Sequence, residues 1–364
     1  MKQINRYPEY YEAFRCIASA CEDSCCAGWE IVVDDEAAAQ YETVEGELGQ
    51  QLRTAMMIDD DGDRVFRLKE GNCPFWETSG LCAIHRQIGE PYLCRTCRQF
   101  PRVVQDYGGF AEHGLSLACP EAARRILSQN WNRPLQVVQV RKVEDEACGY
   151  SRRLMAFLLK ARENLYDIIW NPAHCTAHVL SDCLLYAGQL QMCIDSDALE
   201  EVPDYQPEPS DVPLCEETGE AFLHLYTEME ILTEDWRQML SDAQALGNMR
   251  TWEAFRTEAC GFEAAYRHML HYDLSIYWLR TVADSDAVGK IKRMTAAFLV
   301  LRRMQTAYMQ KKKELPVSAS IRMAQLYFKE VEHNAWNDEM LEEAFFTEAC
   351  CSVEQLIGLL HQWW

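Results

Sequence analysis

Nine cysteines, Cys16, Cys21, Cys25, Cys26, Cys73, Cys82, Cys94, Cys97 and Cys119, stand in the first third of a 364-residue chain that has seventeen in all. They sit beside turn formers and charges, in Cys-Pro-Phe-Trp at 73–76, Gly-Leu-Cys-Ala-Ile-His at 80–85, Leu-Cys-Arg-Thr-Cys-Arg-Gln-Phe-Pro-Arg at 93–102 and Cys-Pro-Glu at 119–121. Thiols packed as small hydrophobes lie in apolar stripes instead. A chain of this length buries a core without cross-links, so small size does not call for disulfides. The opening Met1 to Tyr11 has no apolar leader, so a reducing cytoplasmic setting is expected, where clustered cysteines serve metals or redox chemistry.

The spacings are Cys16-x4-Cys21-x3-Cys25-Cys26, Cys73-x8-Cys82, Cys94-x2-Cys97 and Cys119 alone. Zinc and iron–sulfur centres both take cysteine thiolates, usually four to a site. Only Cys94 and Cys97 have the two-residue spacing of a zinc knuckle, and no second such pair completes a ribbon. The x3-then-x2 triple of radical S-adenosylmethionine enzymes is absent, because Cys26 follows Cys25 at once. Nine thiols can hold one centre with helpers, or two four-thiol sites with one left over; spacing does not allocate them. The remaining cysteines, Cys148, Cys175, Cys183, Cys193, Cys215, Cys260, Cys350 and Cys351, fall mostly on helical patterns and read as core.

The secondary-structure signals divide the chain. A short strand is expected over 29–33, then an Asp34 N-cap and a helix to Tyr41, a helix from Glu45 to Met57, an acidic turn at 59–63 and a strand over 65–68. Helical turns at 84–88 and after Pro91 lead to Pro101, which stops the second. A hairpin pairs 102–105 with 110–113 through Tyr107-Gly108-Gly109. Pro120 opens a helix to Leu127 with Cys119 at its N-cap, where the helix dipole favours a thiolate. A strand over 135–140 closes an α+β N-terminal cysteine-rich domain, taken as 1–143. Apolar residues at three- and four-residue intervals then predict helices near 150–169, 176–195, 217–245, 252–271, 286–313, 317–333, 338–349 and 352–363. The second domain, 144–364, is therefore all-α and the whole chain mainly α. Asp195 to Glu220 holds ten acidic residues, four prolines and no Lys, Arg or His, a composition expected to stay a mobile loop.

The formal net charge of −22 leaves no basic face for DNA or RNA, and there is no run of eighteen apolar residues, so neither nucleic acid nor a membrane is an expected partner. A lysine-rich protein surface would be attracted.

The residues that carry the cysteines also carry a likeness. Cys16-Ile-Ala-Ser-Ala-Cys21-Glu-Asp-Ser-Cys25-Cys26-Ala-Gly-Trp29, Cys-Pro-Phe at 73–75, the motifs at 80–85 and 93–102, and Leu-Ala-Cys-Pro-Glu-Ala-Ala-Arg at 117–124 together resemble flagellin lysine-N-methylases over about residues 10–130. A looser likeness is to small zinc- or iron-chelating cysteine-cluster proteins. The first resemblance implies methyl transfer to lysines of flagellin, with S-adenosylmethionine as donor and an iron–sulfur cluster, of the 4Fe-4S type, on the cysteines; zinc and a non-enzymatic or redox role are the alternative. No Gly-rich turn after a strand offers a nucleotide cradle. Methylating a lysine needs aromatic faces for two cations, for which Trp29, Phe75, Trp76, Tyr92 and Tyr107 are candidates, and a proton acceptor, for which Glu112 and Glu121 are candidates. Arg95, Arg98 and Arg102 would offset a cluster's negative charge. In the helical half His174 and His178, with Cys175 and Cys183 nearby, have the makings of a zinc site, while His268 and His271 lack a carboxylate pair.

Overall fold

The first strand the chain makes carries no apolar alternation. β1, Lys2–Tyr7, reads Lys-Gln-Ile-Asn-Arg-Tyr, so pairing on both sides creates it, not propensity. It runs parallel to β5, Phe110–Leu115, with Ile4 opposite Phe110, and antiparallel to β6, Gln136–Lys142, with Ile4 opposite Val140. With β4, Arg102–Asp106, the sheet order is β4-β5-β1-β6. The expected hairpin and the strand after it are both present; the N-terminal strand is an addition. The computed structural model describes residues 2–29, 31–59, 62–128, 136–142, 149–205, 217–247 and 262–363.

Between β1 and β4 lies the cysteine module. Asp34 caps the helix Asp35–Thr43, its side chain accepting from Ala37 N, and the helix Gly46–Ala55 follows. β2, Met56–Ile58, and β3, Arg64–Phe66, form a small hairpin. The expected strand at 29–33 shrinks to backbone bonds beside it, Val33 N to Arg64 O at 2.7 Å and Phe66 N to Ile31 O at 3.1 Å. A compact apolar cluster forms here from Ile31, Val33, Tyr41, Leu52, Phe66, Phe75 and Ile84, with Cys73 and Cys94 among them.

The rest of the described chain is helical, as periodicity predicts: Arg152–Ile169, Thr176–Asp195, Thr218–Glu228, Glu234–Gln244, Glu263–Tyr277, Thr281–Asp284, Ala287–Lys312, Val317–Val331, Ala335–Thr347 and Val353–Trp363. Two expectations are corrected. The single helix over 217–245 breaks at 229–233, because Glu230 N and Leu232 N are taken by Asn337 Oδ1 and Glu330 Oε2 and Thr233 caps a new helix through Trp236 N. The acidic segment is tied down over its first half: Arg153 pairs with Asp197 and Glu200, Tyr205 donates to Asp182 at 2.6 Å, and Val202 is buried. Its residues 206–216, and the start of the helix expected at 252, lie outside the described residues.

A second, larger core joins the helices to the sheet side, since Tyr10, Phe14, Leu115, Leu117 and Ile126 belong to the same cluster as Leu165, Trp278 and Leu299. Buried charge crosses that junction too. Arg162 meets Glu112 of β5 with two bonds of 2.7 Å, and Arg6 of β1 adds a third at 3.1 Å. Among the described residues no helix is long and apolar enough to cross a membrane.

Candidate metal centre

Three short helices each open on a cysteine. Cys82 precedes Ala83–Ile88, Cys94 precedes Arg95–Gln99 and Cys119 precedes Pro120–Ser128. Each of these sulfurs thus stands at the N-terminal end of a helix, near first-turn amides that the helix itself leaves unpaired. Asp34 fixes the second helix as well, its Oδ2 accepting from Arg95 N at 2.6 Å. Cys25 and Cys26 sit in a turn held by Ser24 Oγ, and Cys73 N donates to Cys26 O at 2.7 Å, which brings the early pair onto the later loops.

The nine thiols separate into six and three. Cys25, Cys26, Cys73, Cys82, Cys94 and Cys97 stand near enough to perturb one another's ionisation. The adjoining Cys26 sulfur and then burial raise the Cys25 thiol, the adjoining Cys94 sulfur and then burial raise Cys97, and Cys73 and Cys94 are lowered by their neighbours Cys26 and Cys97. For Cys26 the lowering influence of Cys25 is outweighed by Cys73 and burial, which push it up to about 12. The other three, Cys16, Cys21 and Cys119, act on one another electrostatically. For Cys119 the expectation of a dipole-favoured thiolate is overturned: burial outweighs the two helix amides and pushes the thiol up to about 12.

All nine are free thiols. Among the described residues no group of three or more His, Cys, Asp or Glu side chains is set out ready to hold a single metal ion. The donor set nonetheless fits a soft, thiophilic centre. Cys94 is 1% and Cys73 5% exposed, Cys26, Cys82 and Cys97 are half-buried and Cys25 is exposed, and deprotonating adjoining thiols of which two are buried calls for a cation beside them.

The other candidates resolve individually. Arg95, Arg98 and Arg102 are all exposed, Arg102 lying over the Phe14 ring at 5.4 Å, so they do not form the positive wall expected of them. Phe75 and Tyr107 are core, and Tyr92 packs half-buried on the smaller cluster. Trp76 is 38% exposed beside Cys82. Trp29 is half-buried, its ring 5.5 Å from Phe100 and 5.2 Å from His333. Glu112 and Glu121 are corrected as proton acceptors: the first is consumed by Arg162 and Arg6, the second by Arg124 and Arg125 one turn on. His174 bonds Asp182 at 2.9 Å and His178 bonds Cys175 at 3.0 Å, while Cys183 is buried in the core, so these four do not converge. His271 stacks on Tyr166 and accepts from Trp170; burial and the Arg162 charge push it down to about 3, leaving it neutral. Cys350 and Cys351 are buried, as expected, whereas Cys148, Cys215 and Cys260 lie outside the described residues.

Sequence reasoning missed the helix end Lys329-Glu330-Val331-Glu332-His333. Lys329 is 1% exposed, with Nζ 2.9 Å from Asp23 Oδ1 and 5.1 Å from the Trp29 ring centre. His333 Nε2 meets Ser116 Oγ at 2.8 Å, and Glu332 accepts from Tyr272 at 3.2 Å. The only signal in the sequence was a lysine inside an otherwise amphipathic helix, which reads as solvated until its neighbours are known.

No solved structure matches the chain. A lysine-N-methylase of Salmonella typhimurium is 33% identical over a stretch covering 35% of this chain, and the chain spans only 34% of that relative's length. The flagellar biosynthetic protein FliU of Salmonella muenchen is also 33% identical, over 35% of this chain and 80% of its own length. Residues 162–359 match the FliB lysine N-methylase C-terminal domain, the helical half described above. With more than half its length inside that match, the chain belongs to the FliB lysine N-methylase family.

Proposed function

We propose that this protein N-methylates lysine side chains of flagellin, with S-adenosylmethionine as methyl donor, and that its N-terminal cysteines hold an iron–sulfur cluster of the 4Fe-4S type. The observation that supports the metal part is the gathering of the free thiols Cys26, Cys73, Cys82, Cys94 and Cys97 on one small apolar cluster, with Cys25 next to Cys26. The methylation part draws support from the family and from relatives named lysine-N-methylase and flagellar biosynthetic protein. A reducing, cytoplasmic setting belongs to the same reading, in keeping with the free thiols.

Four of the six sulfurs would be ligands. When bound, such a cluster supplies an electron-transfer or Lewis-acidic centre. In methyl transfer the sulfonium C–S bond breaks, its electron pair stays on sulfur, an N–C bond forms at the lysine amine and the amine proton leaves. The chain's part is to strip that proton and to face the cations with aromatic rings. With Glu112 and Glu121 committed to arginines, the half-buried His333 is the group beside Trp29 and Phe100 that can receive it, and Trp29 and Trp76 are the accessible rings.

Anaerobic purification followed by iron and acid-labile sulfide analysis tests the centre; a colourless zinc protein would replace it with the metal-chelating alternative. Labelled S-adenosylmethionine and flagellin test the reaction. Absence of label on flagellin lysines with an iron-loaded protein would defeat the enzyme reading.

A further inference from the structure

The helix Ala335–Thr347 has apolar side chains on two faces. Leu341, Ala344 and Phe345 pack into the larger core, while Trp336 is 63% and Phe346 73% exposed, more than any other Phe, Tyr or Trp among the described residues. A helix lying on a folded domain ordinarily buries one apolar stripe and turns polar residues outward. A single exposed apolar side chain needs no explanation, but here the two rings are joined along the helix. Positions 336, 339, 343 and 346 follow the three- and four-residue steps that keep side chains on one face. Trp336, Glu339, Glu343 and Phe346, all exposed, therefore form one stripe, its ends about 15 Å apart at a rise of about 1.5 Å per residue.

The stripe carries charge of one sign. Residues 335–349 include Asp338, Glu339, Glu342, Glu343 and Glu348 and no Lys, Arg or His. Asp338 is taken by Arg293 and Glu342 stands 4.0 Å from Lys290, while Glu339 and Glu343, between the rings, have no cationic partner among the described residues. The frame beneath is firmly held. Asn337, 1% exposed, accepts from Glu230 N and donates to Glu230 O and Glu330 O, and Asn334 caps the helix by accepting from Asn337 N. A surface held this way has little freedom left to lose on binding. The stripe begins three residues after His333, whose ring packs against Trp29 and Phe100; three Cα steps of about 3.8 Å keep its start within about 11 Å of His333. Exposed rings bracketing unpaired carboxylates complement a segment that carries both apolar residues and lysines. A narrow, straight stripe matches another helix, whose apolar residues recur at the same steps. A second copy of this chain would set acid against acid, with a net charge of −22 on each.

We propose that the outer face of the helix Ala335–Thr347 is the docking surface for the protein substrate. It receives a lysine-bearing amphipathic helix whose apolar residues cover Trp336 and Phe346 and whose ammonium groups meet Glu339 and Glu343. The inference rests on the lysine-methylation reading and deepens it, since it says where the substrate protein is held. Full-length protein purified anaerobically is compared with W336A/F346A and E339Q/E343Q. Methylation of purified flagellin monomer with labelled S-adenosylmethionine is followed over a range of flagellin concentrations at two ionic strengths. Flagellin binding without the methyl donor is read by isothermal titration calorimetry, with far-UV circular dichroism to check folding and sedimentation velocity to read size. W336A/F346A is expected to raise KM and Kd for flagellin about 10- to 100-fold, the usual loss when aromatic anchors are truncated, with kcat unchanged. In E339Q/E343Q the parent's loss of affinity at higher salt shrinks. Unchanged KM and Kd in W336A/F346A, a fall in kcat alone, or the parent's full salt dependence in E339Q/E343Q overturns the proposal while leaving the reaction in place. A parent dimer that W336A/F346A converts to monomer, with flagellin binding unchanged, also overturns it and makes the face a contact between copies. A parent that neither binds nor methylates flagellin defeats the lysine-methylation reading of this substrate and this inference with it.

Discussion

Removing Glu112 should unfold the junction between sheet and helices rather than impair a reaction. Arg162 is 4% and Glu112 3% exposed, and they meet through two bonds of 2.7 Å with Arg6 at 3.1 Å as a third partner. Charge-assisted hydrogen bonds of this kind contribute about 1.5–3 kcal/mol each, but most of that is offset by the desolvation of both ions. What remains decisive is the charge left behind. In E112A the Arg162 guanidinium stays in the core without its carboxylate, a loss of about 3–5 kcal/mol. Urea titration followed by tryptophan fluorescence reads it as a lower midpoint. The double variant E112L/R162M removes both charges together and should come out near the parent or above it. An E112A protein within about 0.5 kcal/mol of the parent, the range of an ordinary surface change, would refute the reasoning. An E112Q protein as stable as the parent yet devoid of methylation would restore Glu112 to the reaction.

Three further outcomes are expected. Gly28→Ala forces a β-carbon onto φ +93° against the Lys329 stem, costing about 1–2 kcal/mol in a thermal melt. Thr233→Ala removes the side chain that accepts from Trp236 N at the helix restart and costs about 1 kcal/mol in the same assay. Burial pushes the Asp23 carboxyl up, but the Lys329 charge, with hydrogen bonds from Lys329, Ser24 N and Arg322, wins and holds it below the ordinary carboxylate range. Its contribution is therefore complete above the unfolded value of about 4 and is lost as pH falls through the lower folded value. D23N should accordingly lose less stability than the parent between neutral pH and strong acid, measured by Trp fluorescence; an identical loss counts against the pairing.

The helices were legible because an apolar stripe every three or four residues is a local signal, and Thr176–Asp195 falls where periodicity put it. The breaks were not. At 229–233 the sequence remains helix-competent, and what stops it is Asn337 and Glu330, distant in the chain, taking the backbone amides. The acidic segment was misread for a related reason: composition counts charges but not the single Val202 and Tyr205 that dock it. In the candidate site the cysteines announced themselves by type and density. Which sulfurs come together follows from packing across up to 72 residues, from Cys25 to Cys97, and the burial of Lys329 beside Asp23 from packing across 306, spans that no local window contains. The glutamates looked free because their arginines lie elsewhere.

Strand β1 has a consequence for how the protein comes into being. Both its neighbours, β5 and β6, are made about a hundred residues or more after it. Until β5 has been made, Lys2–Tyr7 has neither partner for its backbone groups, and β6 comes later still. The sheet therefore closes backwards, late strands recruiting the first, while the small apolar cluster of the cysteine module is drawn wholly from residues 26–97, between them.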